Sequence, residues 1–217
     1  MGRFLVALLG LSAACAGGCN ILAYPMALFA PPAPMKTVEP EYDGLKGRTV
    51  ALVVFAGPET ELDYQQVQIE MHDVVSAELK KHVKDARVVD VRRVMRYQDE
   101  NPRWDAEPPE KLCKVFDCDA VLLIALEEFS TRERGSIHLA RGRIRAGASV
   151  YVPDRRAAGG QKGGCAWRSG TVNVVYPPKS PLGLPAGNDR PLRIRTEWIF
   201  AERLVKSFYK HKVPKEP

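Results

Sequence analysis

Two continuous apolar runs constrain this chain more than anything else in it. Residues 49–55 read TVALVVF, and residues 119–130 open with DAVLLIAL. Neither alternates with polar residues, and the first is rich in β-branched side chains. Such runs suit central strands of a sheet, because an exposed strand face would show polar residues at every second position. Between and after them the period changes. Val67, Met71, Val74, Val75, Leu79 and Val83 recur at helical spacing, which predicts an amphipathic helix. Asp63 followed by Gln66 has the form of a capping box, placing the start of this helix at Asp63 and its end near Val83.

The remaining elements follow in order. A short strand is expected over residues 88–91, and a short helix over residues 92–99. Asn101-Pro102-Arg103-Trp104 breaks that helix, and Pro108-Pro109 opens another that continues through residue 116. After the strand at 119–130 the chain turns to successive strands, at residues 137–152 and 165–176. A basic, Gly-rich hairpin loop at residues 154–164 joins them. Asp189 is placed to cap a final helix, whose Ile194, Trp198, Ala201, Val205 and Phe208 should pack on the sheet, with Lys206, Lys210 and Lys212 near its C-terminal end. The fold class is therefore α/β with α+β character. The sheet is mixed, has about five strands and is packed in two or three layers. Its order is β-α-β-α-α-β-β-β-α, behind an extended N-terminal tether.

The first residues set an address. Met1–Arg3 carries one positive side chain, FLVALLGL follows, and then LSAACAGGCN. A positive start, a short apolar core and small residues describe a secretory signal. Small residues before a cysteine resemble the lipobox of bacterial lipoproteins, in which that cysteine is lipidated after cleavage. Cys19 is favoured as the lipidation site because it leaves the longer apolar run. Cys15, preceded by Leu11-Ser12-Ala13-Ala14, is the alternative. Asn20 beside Cys19 leans towards the outer membrane. A plain cleaved signal and an uncleaved membrane helix are the competing readings. Pro25 and the Gly/Ala/Cys-rich middle count against the helix. The expected division is a signal at 1–18, lipid anchor and Pro-rich tether at 19–45, one α/β domain at 46–213, and a tail at 214–217.

Composition narrows the partners. The formal net charge is +6, a mild bias that speaks to association more than to activity. The expected partners are the membrane, through the N-terminal lipid, and an envelope protein, with oligomers open. Nucleic acid is not expected, since no aromatic stacking set accompanies the arginines. Cys113, Cys118 and Cys165 remain after the anchor. They allow at most one intramolecular disulfide, and buried free thiols are the favoured state.

The segments RTVALVVF, VVDVRRVMRYQDE and KLCKVFDCDAVLLIALEEFS, with the helix after the first, resemble a periplasmic architecture. It is similar to the amino-terminal domain of TolB, the curli-secretion lipoprotein CsgG and the LpoB-like lipoprotein activators of penicillin-binding proteins. The likeness spans residues 48–208. It implies a non-enzymatic envelope lipoprotein acting through protein contacts as a binding or scaffold module. A subunit of a CsgG-like secretion or transport assembly is the alternative, and a cell-wall hydrolase a minor one.

No catalytic or cofactor motif is legible. His72, His82, His138 and His211 lack metal spacing, and His72 and His82 read as surface residues. Neither a nucleophile elbow nor a P-loop occurs. Glu127 and Glu128 are adjacent, so on a regular strand they would face opposite sides. The best surface feature is the alternating row Arg141, Arg143 and Arg145, a candidate contact for anionic lipid, polymer or an acidic partner. No metal or cofactor is expected.

Overall fold

The computed structural model describes residues 34–153, 163–178, 183–187 and 189–214. The signal and tether up to residue 33, the lipidation candidates Cys15 and Cys19, and most of the Gly-rich loop at 154–164 lie outside the described residues. The chain divides into two compact units, Val38–His211 and residues 1–37 with 212–217. β1 (Met35–Val38) pairs with β9 (His211–Pro214) as a two-stranded sheet, of which all but Val38 and His211 belong to the second unit. Met35 to Val38, in the stretch expected to be tether, is thus a strand. Lys212, expected at a helix end, and Pro214, expected in the tail, both belong to β9.

The large unit is an α/β fold on a mixed sheet, as the two apolar runs require. Thr49–Phe55 forms β2, with Val50, Ala51, Leu52, Val53 and Val54 all buried. Two strands flank it in parallel, β3 (Arg87–Val88) on one side and β4 (Ala120–Arg132) on the other. β4 then runs antiparallel to β5 (Leu139–Val152). The far edge of β5 takes β6 (Gly164–Arg168), β7 (Val172–Tyr176) and β8 (Leu184–Pro185) in succession. Residues 165–176, expected as one strand, are therefore a broken edge strand. At the break the Ser169 amide donates to the Ala148 carbonyl at 2.8 Å, and the Ala148 amide donates to Ser169 Oγ at 2.9 Å.

Helices cover both faces. α1 (Pro58–Asp63) is one short turn, and α2 (Val67–His82) follows a brief interruption. The helix expected to start at Asp63 is split there: Asp63 ends α1, and Gln66 precedes α2 without a side-chain cap bond. The predicted stripe of α2 is buried against the inner face of the sheet. α5 (Arg190–Val205) lies beside it and adds Phe200, Ala201, Leu204 and Val205 to the same core. Because α2 packs on both the sheet and α5, it buries more than one stripe. Ser76 and Glu78 are buried, and His72, expected at the surface, is 5 % exposed. Burial pushes the His72 pKa down.

α5 is rotated relative to the expectation. Ala201, Val205 and Phe208 are buried as expected, but Ile194 and Trp198 are exposed, and Leu192, Thr196 and Glu197 take the inner face. The cause is a close crossing at Gly142, where an added Cβ would overlap Thr196 Oγ1 and lie 2.9 Å from the Thr196 Cβ. Only glycine lets the helix approach there. Asp189 makes no cap bond from its side chain. Its Oδ2 accepts instead from Thr131 Oγ1 at 2.7 Å.

The outer face carries α3 (Val91–Glu100) and α4 (Leu112–Phe116). Val94, Leu112, Cys113 and Phe116 pack on Ala51, Val53 and Val121. Asp90, expected within a strand, instead caps α3 by accepting from the Arg92 amide at 2.8 Å. This outer layer covers β2, β3 and the first half of β4. The rest of the β4–β5 hairpin runs beyond its pairing with β2, which ends at Ala125.

Candidate functional site

The helix after β2 goes to the inner face, while α3, after β3, goes to the outer face. That divergence opens a gap at the C-terminal end of a parallel strand, the usual position for a binding crevice in such sheets. A cleft of about 350 Å³ lies there, lined by Phe55, Ala56 and Pro58 from β2 and α1, Gln98 and Asp99 from α3, and Trp104 and Asp105 beyond it. A second recess of about 210 Å³ adjoins it and shares Phe55, Trp104 and Asp105 with it. Its other lining residues include Leu112, Leu123 and Glu107. Trp104 meets the Phe55 ring edge-on, with centroids 6.0 Å apart.

The chemistry of this surface is one-sided. Glu61, Asp99 and Asp105 line the larger recess, and Asp105 and Glu107 the smaller. Among the described residues no lysine or arginine lines either one. Glu61 accepts from Gln68 Nε2 at 2.7 Å. Gln98 is 8 % exposed. Its Nε2 donates to the Val54 carbonyl at 3.2 Å, while its Oε1 has no hydrogen-bond partner among the described residues. Nothing in the sequence singled out this group. Trp104 and Pro102 read as a helix break, and Gln98 as one polar residue of a short helix.

The arginine row is where the sequence places it, on the outer face of β5, but its cations face carboxylates. Arg141 and Arg143 both pair with Glu133, and Arg145 Nε lies 3.1 Å from Glu127 Oε2. The Arg143 guanidinium holds the Glu133 carboxyl below its ordinary pKa. Arg145 is the most exposed of the three. An anion approaching Arg141 and Arg143 therefore competes with Glu133.

The neighbouring glutamates correct a simpler expectation. A β-bulge between Leu126 and Glu128 resets the alternation of β4, so Leu126 and Phe129, three residues apart, both enter the inner core. Glu127 and Glu128 between them both reach outer-face partners, Arg145 and Arg134, rather than opposite sides.

Two further groups of titratable side chains sit inside the fold. Between α2 and α5, Glu70 Oε1 receives Arg193 Nη2 at 2.8 Å, and Glu197 lies beside Glu70. Burial, with the Glu70 charge second, pushes the Glu197 carboxyl up to about 7. Among the described residues Glu70 Oε2 and Glu197 Oε1 have no donor, which one shared proton would supply. Beyond this cluster, His82 stacks on Tyr209, ring centroids 4.3 Å apart. The cysteines Cys113, Cys118 and Cys165 are all free. Hydrogen bonding between the first two pushes the Cys113 thiol up and draws Cys118 down. Among the described residues no group of histidine, cysteine and carboxylate side chains has the form of a metal site. Among the same residues no helix is long and apolar enough to cross a membrane.

No family model and no curated protein matches the sequence. Solved structures resemble the fold at low identity. A PelC dodecamer from Paraburkholderia phytofirmans is 8 % identical over 81 % of this chain and 98 % of its own, with a TM-score of 0.44. Lipoprotein GNA1162 from Neisseria meningitidis is 16 % identical over 72 % of this chain and 97 % of its own, TM-score 0.41. A minor lipoprotein from Acinetobacter baumannii is 9 % identical over 76 % and 92 %, TM-score 0.34. Two of these neighbours are thus lipoproteins and one is a dodecamer. At these scores no functional argument rests on them.

Proposed function

We propose that this chain is a lipid-anchored lipoprotein of the bacterial envelope, and that its α/β unit is a non-enzymatic binding module. The reading extends the resemblance to the TolB, CsgG and LpoB-like group. Lipid on Cys19, with Cys15 as the alternative, holds the unit at a membrane, the outer membrane facing the periplasm. The observation that carries the binding role is the cleft at the end of β2. It offers apolar and aromatic walls and several acceptors, with no nucleophile-and-base pair among the described residues to make it a reaction centre. A partner protein is its occupant. On the hairpin, Arg145 is the member of the arginine row placed to meet an anionic head group or polymer.

The anchor is tested by intact mass of the mature amino terminus after expression in a lipoprotein-processing host. Acylated Cys19 is expected, with the modification lost in Cys19→Ala. An unmodified terminus removes the anchor. The binding role is tested by crosslinking from the native envelope with a photoreactive residue at position 104. Crosslinks at position 104 that vanish when the photoreactive residue is moved to the far helix face are expected. No crosslink at 104 rejects the cleft as a contact. The long β4–β5 hairpin, with Ile137 at its tip 84 % exposed, supports a second reading, a subunit of a secretion or transport assembly. Large ring-sized particles in detergent would favour it.

A further inference from the structure

We propose that Cys113 and Cys118 are a dithiol site, which an organic disulfide converts to an intramolecular bridge that staples α4 to the sheet. The reading of the chain as an exported protein supplies the oxidising surroundings. The geometry stands apart from that reading.

A helix end builds the site. α4 stops at Phe116, and Asp117 takes the left-handed conformation, with φ 50° and ψ 56°. The Cys118 amide then closes on the Cys113 carbonyl at 3.0 Å, and the Asp117 amide on the Lys114 carbonyl at 3.4 Å. This pair of bonds is a Schellman motif, in which the residue three before Phe116 and the residue two after it bring their side chains together. Cysteines occupy both places, and their thiols are hydrogen-bonded to each other. Such a backbone bond holds the two Cα atoms inside the roughly 4.4–6.8 Å window that a disulfide needs. Closure therefore takes side-chain rotation and no rearrangement of the backbone. Cys165 is committed elsewhere, on edge strand β6, with its Sγ donating to the Trp167 carbonyl at 3.3 Å.

The two thiols are unlike, as exchange requires. Cys113 is buried, and Cys118 is partly exposed. Their hydrogen bond draws the Cys118 thiol down and, with burial, pushes the Cys113 thiol up, so Cys118 is the thiolate that attacks. It bonds to one sulfur of the incoming RSSR and releases the other half as thiolate. Cys113 then gives up its proton, attacks Cys118 Sγ and expels the second half. The two protein thiols lose two electrons, RSSR gains them, and both protons leave on two RSH. Entry needs only a local opening of α4, which is five residues long.

The bridge fastens a slight element to a fixed one. Next to Cys118, Asp119 grips Thr49 of β2 twice: its amide donates to the Thr49 carbonyl at 2.8 Å, and its Oδ2 accepts from the Thr49 amide at 3.0 Å. On the helix side, Leu112 precedes Cys113 and walls the smaller recess beside β2. Oxidation thus ties one wall of that recess to the sheet.

The test uses the full chain in detergent, first reduced and then equilibrated with mixtures of oxidised and reduced glutathione. Free thiols are alkylated, and the protein is digested with trypsin. Cleavage after Lys111, Lys114 and Arg132 separates the two cysteines, so the bridge is read by mass as Leu112–Lys114 joined to Val115–Arg132, a species that reductant splits. It should be the main internal bridge. Cys165→Ser should leave it unchanged, and Cys118→Ser should abolish it. The equilibrium constant for exchange with glutathione should be about tenfold higher in the folded chain than in concentrated urea, because folding has already closed the loop. A ratio of one or less overturns the proposal, since the helix end would then hold the sulfurs unfavourably. Glutathione left standing on Cys118 overturns it too, as does a bridge from either cysteine to another position. The purified chain decides all of this, while the mass of the mature amino terminus separately decides the anchor.

Discussion

Replacing Glu197 by glutamine should make this protein more stable, and only at neutral to alkaline pH. Glu197 is 1 % exposed, and its carboxyl is pushed from the ordinary 4.5 to about 7, first by burial and then by the Glu70 charge, with Arg193 pulling the other way. The folded state therefore holds a proton that the unfolded chain has released. Below about pH 4.5 both states carry it and no stability is lost. Between 4.5 and 7 the unfolded state binds fewer protons, so stability falls as pH rises. A shift of this size corresponds to about 3 kcal/mol once the pH passes 7. Glutamine keeps the shape and can donate to Glu70 without ionising. Glu197→Gln should match the parent within about 1 kcal/mol at pH 5 and exceed it by about 3 kcal/mol at pH 8, a difference that already contains the Arg193 attraction. Urea unfolding followed by far-ultraviolet circular dichroism at half-unit pH steps measures this directly. The difference between variant and parent is the informative quantity, because His72, with its lowered pKa, titrates identically in both. A difference that stays flat from pH 5 to pH 8 would refute the reasoning, and so would a variant less stable at pH 8.

Two other outcomes follow from the packing and the thiols. Gly142→Ala drives a Cβ into Thr196 Oγ1 and to within 2.9 Å of the Thr196 Cβ, so it should destabilise by about 1–3 kcal/mol, and Thr196→Ala in the same chain should restore part of that. Additive losses in the double variant, read from urea midpoints, would show that the close crossing is not the cause. Maleimide labelling of the reduced native protein should modify exposed Cys165 first and Cys118 next, while buried Cys113 reacts only on unfolding. Peptide mapping that found Cys113 labelled as fast as Cys165 would contradict the placement of α4.

The parts of the fold written in continuous apolar runs were legible without coordinates. TVALVVF and the first half of the 119–130 stretch are central strands because no other element hides so many β-branched side chains at once. The stripe of α2 was legible for the same reason, since its residues differ in polarity from their neighbours. His72 was not, because its burial comes from the chain at Val89 closing on another side of the helix, which a one-stripe pattern does not encode. The rotation of α5 depends on one glycine in a strand more than fifty residues earlier in the chain. The split at Asp63, the break at Ser169 and the bulge at Glu127 are local choices between nearly equal backbone paths, decided by partners distant in sequence. The site was the least legible part. The arginine row was visible as a pattern, but its carboxylate partners were not, because Glu133 reaches it across the hairpin. The cleft has no motif at all. Its lining comes from Phe55, the stretch from Gln98 to Trp104, and Leu123, three places far apart in sequence, and the divergence of α2 and α3 brings them together.

The bulge in β4 acts as a phase shifter. A regular strand keeps one parity from end to end, so whatever is inside at its start is inside at every second residue thereafter. The extra residue at Glu127–Glu128 switches that parity once, and the second half of the hairpin is written in the opposite code. Paired without the bulge, the same residues would send Phe129 to the outer face and a carboxylate towards the core. Deleting Glu127 or Glu128 would instead iron the bulge out and keep Phe129 inside, so the one length change this strand should absorb lies at the bulge, while a deletion between Phe129 and Thr131 would turn the residues beyond it over.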